Sequence, residues 1–270
     1  MNGSEGTFFL KKKDLILCIA ILAGIILVSK IPVKLLFQSP ELKPFSSYFG
    51  QIAKSIILVI ICWQLAKHFS ISVFFNTISS SRGKYWMLLL PLFFPGLFLY
   101  AGICIDFNEN VFEWLLIYFS FFVTGLTEEI IFRGLLQGYL TKQYPQKTNN
   151  QLCIITSIFF ALIHFNNIQF APLSGVINQV IYAFFMGLLF SALMIRIGNT
   201  LLIGTIHGIL NMISISCAIK NQDAGNIVAQ GYELNGFFQV IGIVIVFSPT
   251  LLIYWFLLRG APKRTGIEND

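Results

Sequence analysis

Long apolar stretches separated by short polar segments organise this chain from residue 14 to residue 258. Measured against the roughly 20 residues that cross about 30 Å of hydrocarbon, they predict about eight helices. These fall at 14–29, 48–66, 85–104, 111–140, 151–166, 175–195, 199–217 and 236–258, the first and fifth being the shortest. The polar loop 67–84, which contains Ser79, Ser80, Ser81, Arg82 and Gly83, divides an N-terminal pair of helices (1–84) from a larger membrane core (85–270). No polar segment is long enough to form a soluble domain of its own, and no period of 20 to 50 residues is visible. One integrated membrane domain is the expectation.

Composition strengthens this reading. Of 270 residues, 56% are hydrophobic and only 11% are charged, with a mean hydropathy of +0.77, whereas a soluble domain carries about 25% charged residues. The predicted fold class is therefore all-α, a polytopic membrane helix bundle with a polar cavity inside it. Loop charge sets the orientation. With the N-terminus inside, Lys11, Lys12, Lys13, Lys67, Arg82, Lys84, Lys142, Lys147, Arg196, Arg259, Lys263 and Arg264 all fall on the cytoplasmic side. The other side then holds Lys30, Lys34, Lys43 and Lys220 with the acidic Asp106, Glu109 and Glu113. The positive-inside rule accordingly predicts a multi-pass cell-membrane protein with both termini cytoplasmic. The net charge of +6 is accounted for by this topology and by anionic lipid headgroups. Because the basic residues form no long patch with interleaved aromatics, nucleic acid is not an expected partner.

Residues 11–29 also have the basic flank and apolar run of a signal peptide, but Lys30 and Pro32 close the run without a small-x-small exit, so an uncleaved first helix is expected. Cys18, Cys62, Cys104, Cys153 and Cys217 are odd in number and lack a CxxC pair. They read as small apolar packing residues rather than a disulfide framework or thiolate metal site.

Ionisable groups inside apolar spans are costly and therefore call for a reason. Three clusters stand out. Glu129 and Arg133, four apart on one helix, share a face and can pair. Glu128 projects about 100° away, which leaves it free for general acid/base work. The competing account is an ion-pair network that only fixes packing. His164 follows Phe160 by one turn, and taken alone it can equally be an interfacial or packing residue. His207 and Asn211 also share a face, and their plainer reading is an interhelical hydrogen-bond pair. Depth links the three. At about 1.5 Å per residue, Glu128 lies about 21 Å from Lys142, His164 about 21 Å from Asn150 and His207 about 16 Å from Arg196, all measured from the cytoplasmic side.

In this order, Glu-Glu-x-x-x-Arg at 128–133, Phe-x-x-x-His at 160–164 and His-x-x-x-Asn at 207–211 resemble the CPBP family, the CaaX proteases and bacteriocin-processing enzymes also called the Abi family. The resemblance covers about residues 110–215 and includes the approach from Gly187 through Arg196-Ile197-Gly198-Asn199-Thr200-Leu201. It implies an intramembrane endopeptidase in which Glu128 and His164 hold and activate a water, His207 and Asn211 stabilise the oxyanion, and Glu129, Arg133 and Phe160 support the site. Its implied partners are a peptide or membrane-protein substrate and the lipid bilayer, with CaaX-type processing, peptide maturation or bacteriocin self-immunity as its settings. Glu128, His164 and His207 also match a zinc ligand set in residue type. However, Glu128 cannot readily be both ligand and base, and no HExxH helix supplies another base, so a reaction without cofactor or metal is expected. Two other classes remain open. A proton or solute transporter would use the same residue types, although the inverted repeats of such folds are not visible. A non-proteolytic scaffold or immunity protein would keep the same helices.

Overall fold

A computed structural model describes residues 10–74, 111–169, 171–223 and 247–259, together with positions 87, 89, 91, 244 and 261. The described chain is helical, as expected. Its main elements are α1 (Lys12–Lys30), α2 (Ser46–His68), α3 (Val111–Gln143), α4 (Asn149–Ile163), α5 (Leu173–Ile197), α6 (Thr200–Asp223) and α7 (Pro249–Arg259). Among the described residues, five segments are long and apolar enough to cross a membrane: Lys12–Leu36, Ser46–His68, Val111–Gln143, Asn149–Gln169 and Leu173–Ile197. Thr200–Ser214 and Pro249–Arg259 are shorter apolar helices. The protein is a multi-pass helical membrane bundle. Of the eight predicted spans, 85–104 lies almost wholly outside the described residues, as does the first half of 236–258.

The outer helices carry their apolar side chains outward. Leu15, Ile19 and Leu27 of α1, Ile56, Ile60 and Trp63 of α2, and Phe112, Leu115 and Phe119 at the start of α3 are all exposed. Such a surface would be aggregation-prone in water and is suited to acyl chains. On their inner faces, Cys18 of α1 with Cys62 and Ala66 of α2 share one core with Ile130 to Phe132 of α3 and Phe159 to Ala161 of α4. A second core joins α5 to α6 and α7 through residues such as Leu189, Phe190, Leu193, Ile203, Leu210 and Tyr254.

Two local features decide where polar groups end up. From Ile130 to Gln137, α3 widens into a π-helical stretch, and all eight residues of it are buried. Such wide turns are rare and often accompany functional sites. Secondly, α6 lies against α3 backbone to backbone. A Cβ on Gly125 would sit 2.7 Å from the amide nitrogen of Gly208, and one on Gly208 would sit 2.8 Å from the carbonyl oxygen of Phe122. Gly204 is similarly closed in by Leu126. This small-xxx-small pairing allows close helix approach where no hydrophobic effect drives association.

The connections are also specified locally. Thr148 accepts from the Gln151 amide while the Gln151 side chain accepts from the Thr148 amide, a reciprocal cap that starts α4. Gly198, at φ 68°, ends α5 in the left-handed conformation that glycine tolerates. Asn199 then accepts from Leu202 N–H at 3.1 Å as α6 begins. At the opposite edge, the buried Asp14 of α1 accepts from Tyr139 at 2.7 Å and from Tyr144 at 2.6 Å. Burial and the bond to Asp14 push the Tyr144 phenol, in the α3–α4 turn, up to about 12.

Candidate active site

Neighbouring positions on α3 face different surroundings. Glu129 is fully buried, with Oε2 3.0 Å from Arg133 Nε and Oε1 2.7 Å from His207 Nδ1. Glu128 keeps 27% of its side chain exposed, and its Oε2 is 3.5 Å from His207 Nε2. His207 of α6 is thus bracketed by two carboxylates. Its ring stacks on Phe190 of α5 at 5.0 Å and meets the Phe160 ring of α4 at 5.9 Å. The glycine contact that draws α6 onto α3 accounts for this reach, since Gly208 directly follows His207.

Arg133 is fully buried, and its charge is distributed over several partners. Nη2 donates to the Gly187 carbonyl of α5 at 3.1 Å, while the guanidinium lies 4.4 Å from the Phe160 ring centroid and 5.7 Å from that of Phe190. One turn on, Gln137 donates to the Ser191 carbonyl at 3.1 Å, and Ser191 shares a hydrogen bond with Thr156 of α4. The widened stretch of α3 is in this way fastened to α5 and, through Ser191, to α4.

His164 sits where α4 tightens into the 3-10 turn His164–Gln169. Its Nδ1 is 2.9 Å from the Phe160 carbonyl oxygen. A carbonyl can only accept, so Nδ1 carries the proton and the Nε2 of the neutral ring is left as an acceptor. The Phe160 ring lies 5.1 Å from the His164 ring and therefore touches both histidines. Asn211, half-buried, follows His207 by one turn of α6.

Of the residues singled out from sequence, Glu128, Glu129, Arg133, Phe160 and His207 come into direct contact. His164 joins them through Phe160. Among the described residues Glu128 makes its contact with His207, and no hydrogen bond or ion pair links it to His164. Nor are Glu128, His164 and His207 gathered into a metal-holding arrangement among the described residues.

Sequence reasoning missed part of the site. A cavity of about 190 Å³ opens between α1, α2, α3 and α4, with Glu128 on one wall and Ser29, Gln51 and Lys54 on others. Gln51 donates to Thr124 at 2.7 Å, and Lys54 donates to the Ser29 carbonyl at 2.6 Å. Lys54 is the single charged residue inside the predicted span 48–66, and that signal was available. So was the Gly204-x-x-x-Gly208 spacing.

Residues 110–213 match the family model of Rce1-like type II CAAX prenyl endopeptidases. The matched segment runs from the start of α3 into α6 and contains every motif residue from Glu128 to Asn211, in agreement with the resemblance drawn from the motifs. That segment is similar to the core of CAAX-type prenyl endopeptidases. No curated protein matches the chain. Helices α1, α2 and α7 lie outside the match, so the cavity has one wall within the matched core and another beyond it.

Proposed function

We propose that this chain is an intramembrane endopeptidase that cleaves a peptide bond in a membrane-associated peptide or membrane-protein segment. In this reading a water held between Glu128 and the Nε2 of His164 is deprotonated by Glu128 and attacks the scissile carbonyl carbon. Glu128 then passes that proton to the departing nitrogen as the C–N bond breaks. The Nε2 side of the His207 ring and the Asn211 carboxamide donate to the developing oxyanion. Glu129 and Arg133 hold the His207 ring in place. No metal takes part. The observation that carries the proposal is that Glu128, unlike its buried neighbour, borders a cavity far larger than the about 10–15 Å³ that one water requires. The Nδ1 proton of His164 supports it, because that bond leaves Nε2 as the acceptor a bound water needs.

The family match favours substrates of the CAAX type, and a peptide precursor or bacteriocin-related peptide suits the same chemistry. Orientation belongs to the proposal, with both termini cytoplasmic. Cysteines placed at 106–110 should label from outside and cysteines near Lys142 should not.

The test is cleavage by the purified chain in proteoliposomes. A farnesylated peptide ending in Cys-aliphatic-aliphatic-X and unprenylated apolar peptides would be assayed by mass spectrometry. Glu128→Gln should reduce product to near background. Equal cleavage by wild type and Glu128→Gln would remove this mechanism.

A further inference from the structure

The strongest feature that the proposed chemistry leaves unused is Lys54. It is an ammonium within a predicted membrane span, about 12 Å along α2 from Ser46 and about 21 Å from His68. Lys54 and Glu128 line the same cavity. Among the described residues, no carboxylate lies within ion-pair distance of Lys54, and its partner is the neutral carbonyl of Ser29 at 2.6 Å. An ammonium has three protons to donate. A cation held at that depth without a counter-ion is costly, and an anionic ligand entering the cavity would relieve the cost. Beside it, Gln51 is already oriented by its bond to Thr124, so this wall combines one charge with a fixed amide.

We infer that Lys54 is a specificity residue that takes a substrate carboxylate in the cavity bordered by Glu128, so that α1 and α2 select the peptide and α3, α4 and α6 cut it. The inference rests on the proteolytic reading for its cutting half alone. Carboxylate is the fitting chemistry because a peptide has two sources of it, the free chain end and an acidic side chain. Apolar neighbours such as Ile25 and Leu58 suit the aliphatic residues beside that carboxylate. A substrate seated with its carboxylate on Lys54 would lie across the cavity toward Glu128, which places a bond close to the chain end, rather than one deep within a long segment, near the activated water.

Binding tests this without requiring turnover. The full chain carrying Glu128→Gln, reconstituted in nanodiscs, would be titrated by fluorescence anisotropy with three fluorescein-labelled apolar pentapeptides. One has a free C-terminal acid, one is the matching amide, and the third is an amide with a single internal glutamate. The free acid should bind about 10-fold to 100-fold more tightly than the amide, the range expected for one hydrogen bond to a charged group. Recovery of affinity by the internal glutamate would identify a side chain, rather than the chain end, as the carboxylate read. Adding Lys54→Met should abolish the preference, and Lys54→Arg should keep most of it. Equal binding of all three peptides to the Lys54-containing protein would overturn the inference, even if Lys54→Met failed to fold. A preference that survived Lys54→Met in folded protein would overturn it as well. An acid preference in a protein that cuts no peptide would remove the proteolytic reading and leave the carboxylate site standing. Cleavage without any acid preference would do the reverse.

Discussion

Glu128 and Glu129 are adjacent in sequence and opposite in circumstance. Glu129 is wholly enclosed and engaged on both oxygens, by Arg133 and His207, while Glu128 borders an open cavity and, among the described residues, has a single, longer ion-pair contact. The difference shows how one helix can supply both a fixed support and a reactive group. The enclosed carboxylate is held by charges that would be left unpaired if it moved. The bordering one is left with capacity to bind water or substrate.

Exchanging the two roles should break this comparison most severely. Glu128→Gln and His164→Ala should bring peptide cleavage to near background with an unchanged melting temperature. Arg133→Ala should destabilise the protein by about 3–5 kcal/mol, because it strands a buried carboxylate, and should be visible as lost protein level and a lowered Tm. A Glu129→Gln/Arg133→Met double variant should regain part of that stability. If Arg133→Ala folded normally, the enclosed pair would not be the support described.

A smaller effect separates the two proposed oxyanion donors. Asn211→Ala and His207→Ala should each lower kcat by about 100-fold to 1000-fold. His207→Ala alone should also lower Tm, since it removes a partner of Glu129. Equal Tm values for the two variants would mean that His207 does not brace the enclosed side. Smaller again, Gly208→Ala forces a methyl group against Phe122 and should cost about 1–3 kcal/mol, read by thermal unfolding. Last, a chelator such as 1,10-phenanthroline should change cleavage by less than about twofold. Loss of activity restored by zinc would assign Glu128 to a metal instead of a proton.

Much of this arrangement was legible because bilayer physics is simple along one dimension. The limits predicted for the helices at 14–29, 48–66, 151–166 and 175–195 fall within a few residues of the observed ones, since apolar length sets them. The widening at Ile130–Gln137 was not legible, because an apolar run reads alike whether it closes by four residues or five. Distance along the chain was also an incomplete guide to depth. Counting from Arg196 put His207 about 16 Å in, but Gly198 breaks the helix, and from Thr200 the count is about 11 Å. What brings His207 to the two glutamates is instead the glycine contact between α3 and α6, which depends on pairing between distant segments. Lys54 was overlooked for another reason. A long basic side chain can reach toward the interface even from within a span, and nothing in the sequence shows that this one turns into a cavity shared with α3.

The backbone contact between α3 and α6 has a bearing on lipid composition. A bilayer thicker or thinner than the spans is accommodated by helix tilt, at a modest cost per ångström, and α1 and α2, with their broad exposed apolar faces, are the helices free to make that adjustment. Where Gly125 meets Gly208 there are no side chains to compress, so the spacing of Glu128 and His207 is insensitive to acyl length, while the wall carrying Ser29 and Lys54 is not. Chain length of the host lipid should therefore act on KM and leave kcat nearly constant. A matched series of reconstitutions in lipids from 14 to 20 carbons, an arbitrary span of about six carbons around a typical hydrocarbon thickness, would show it.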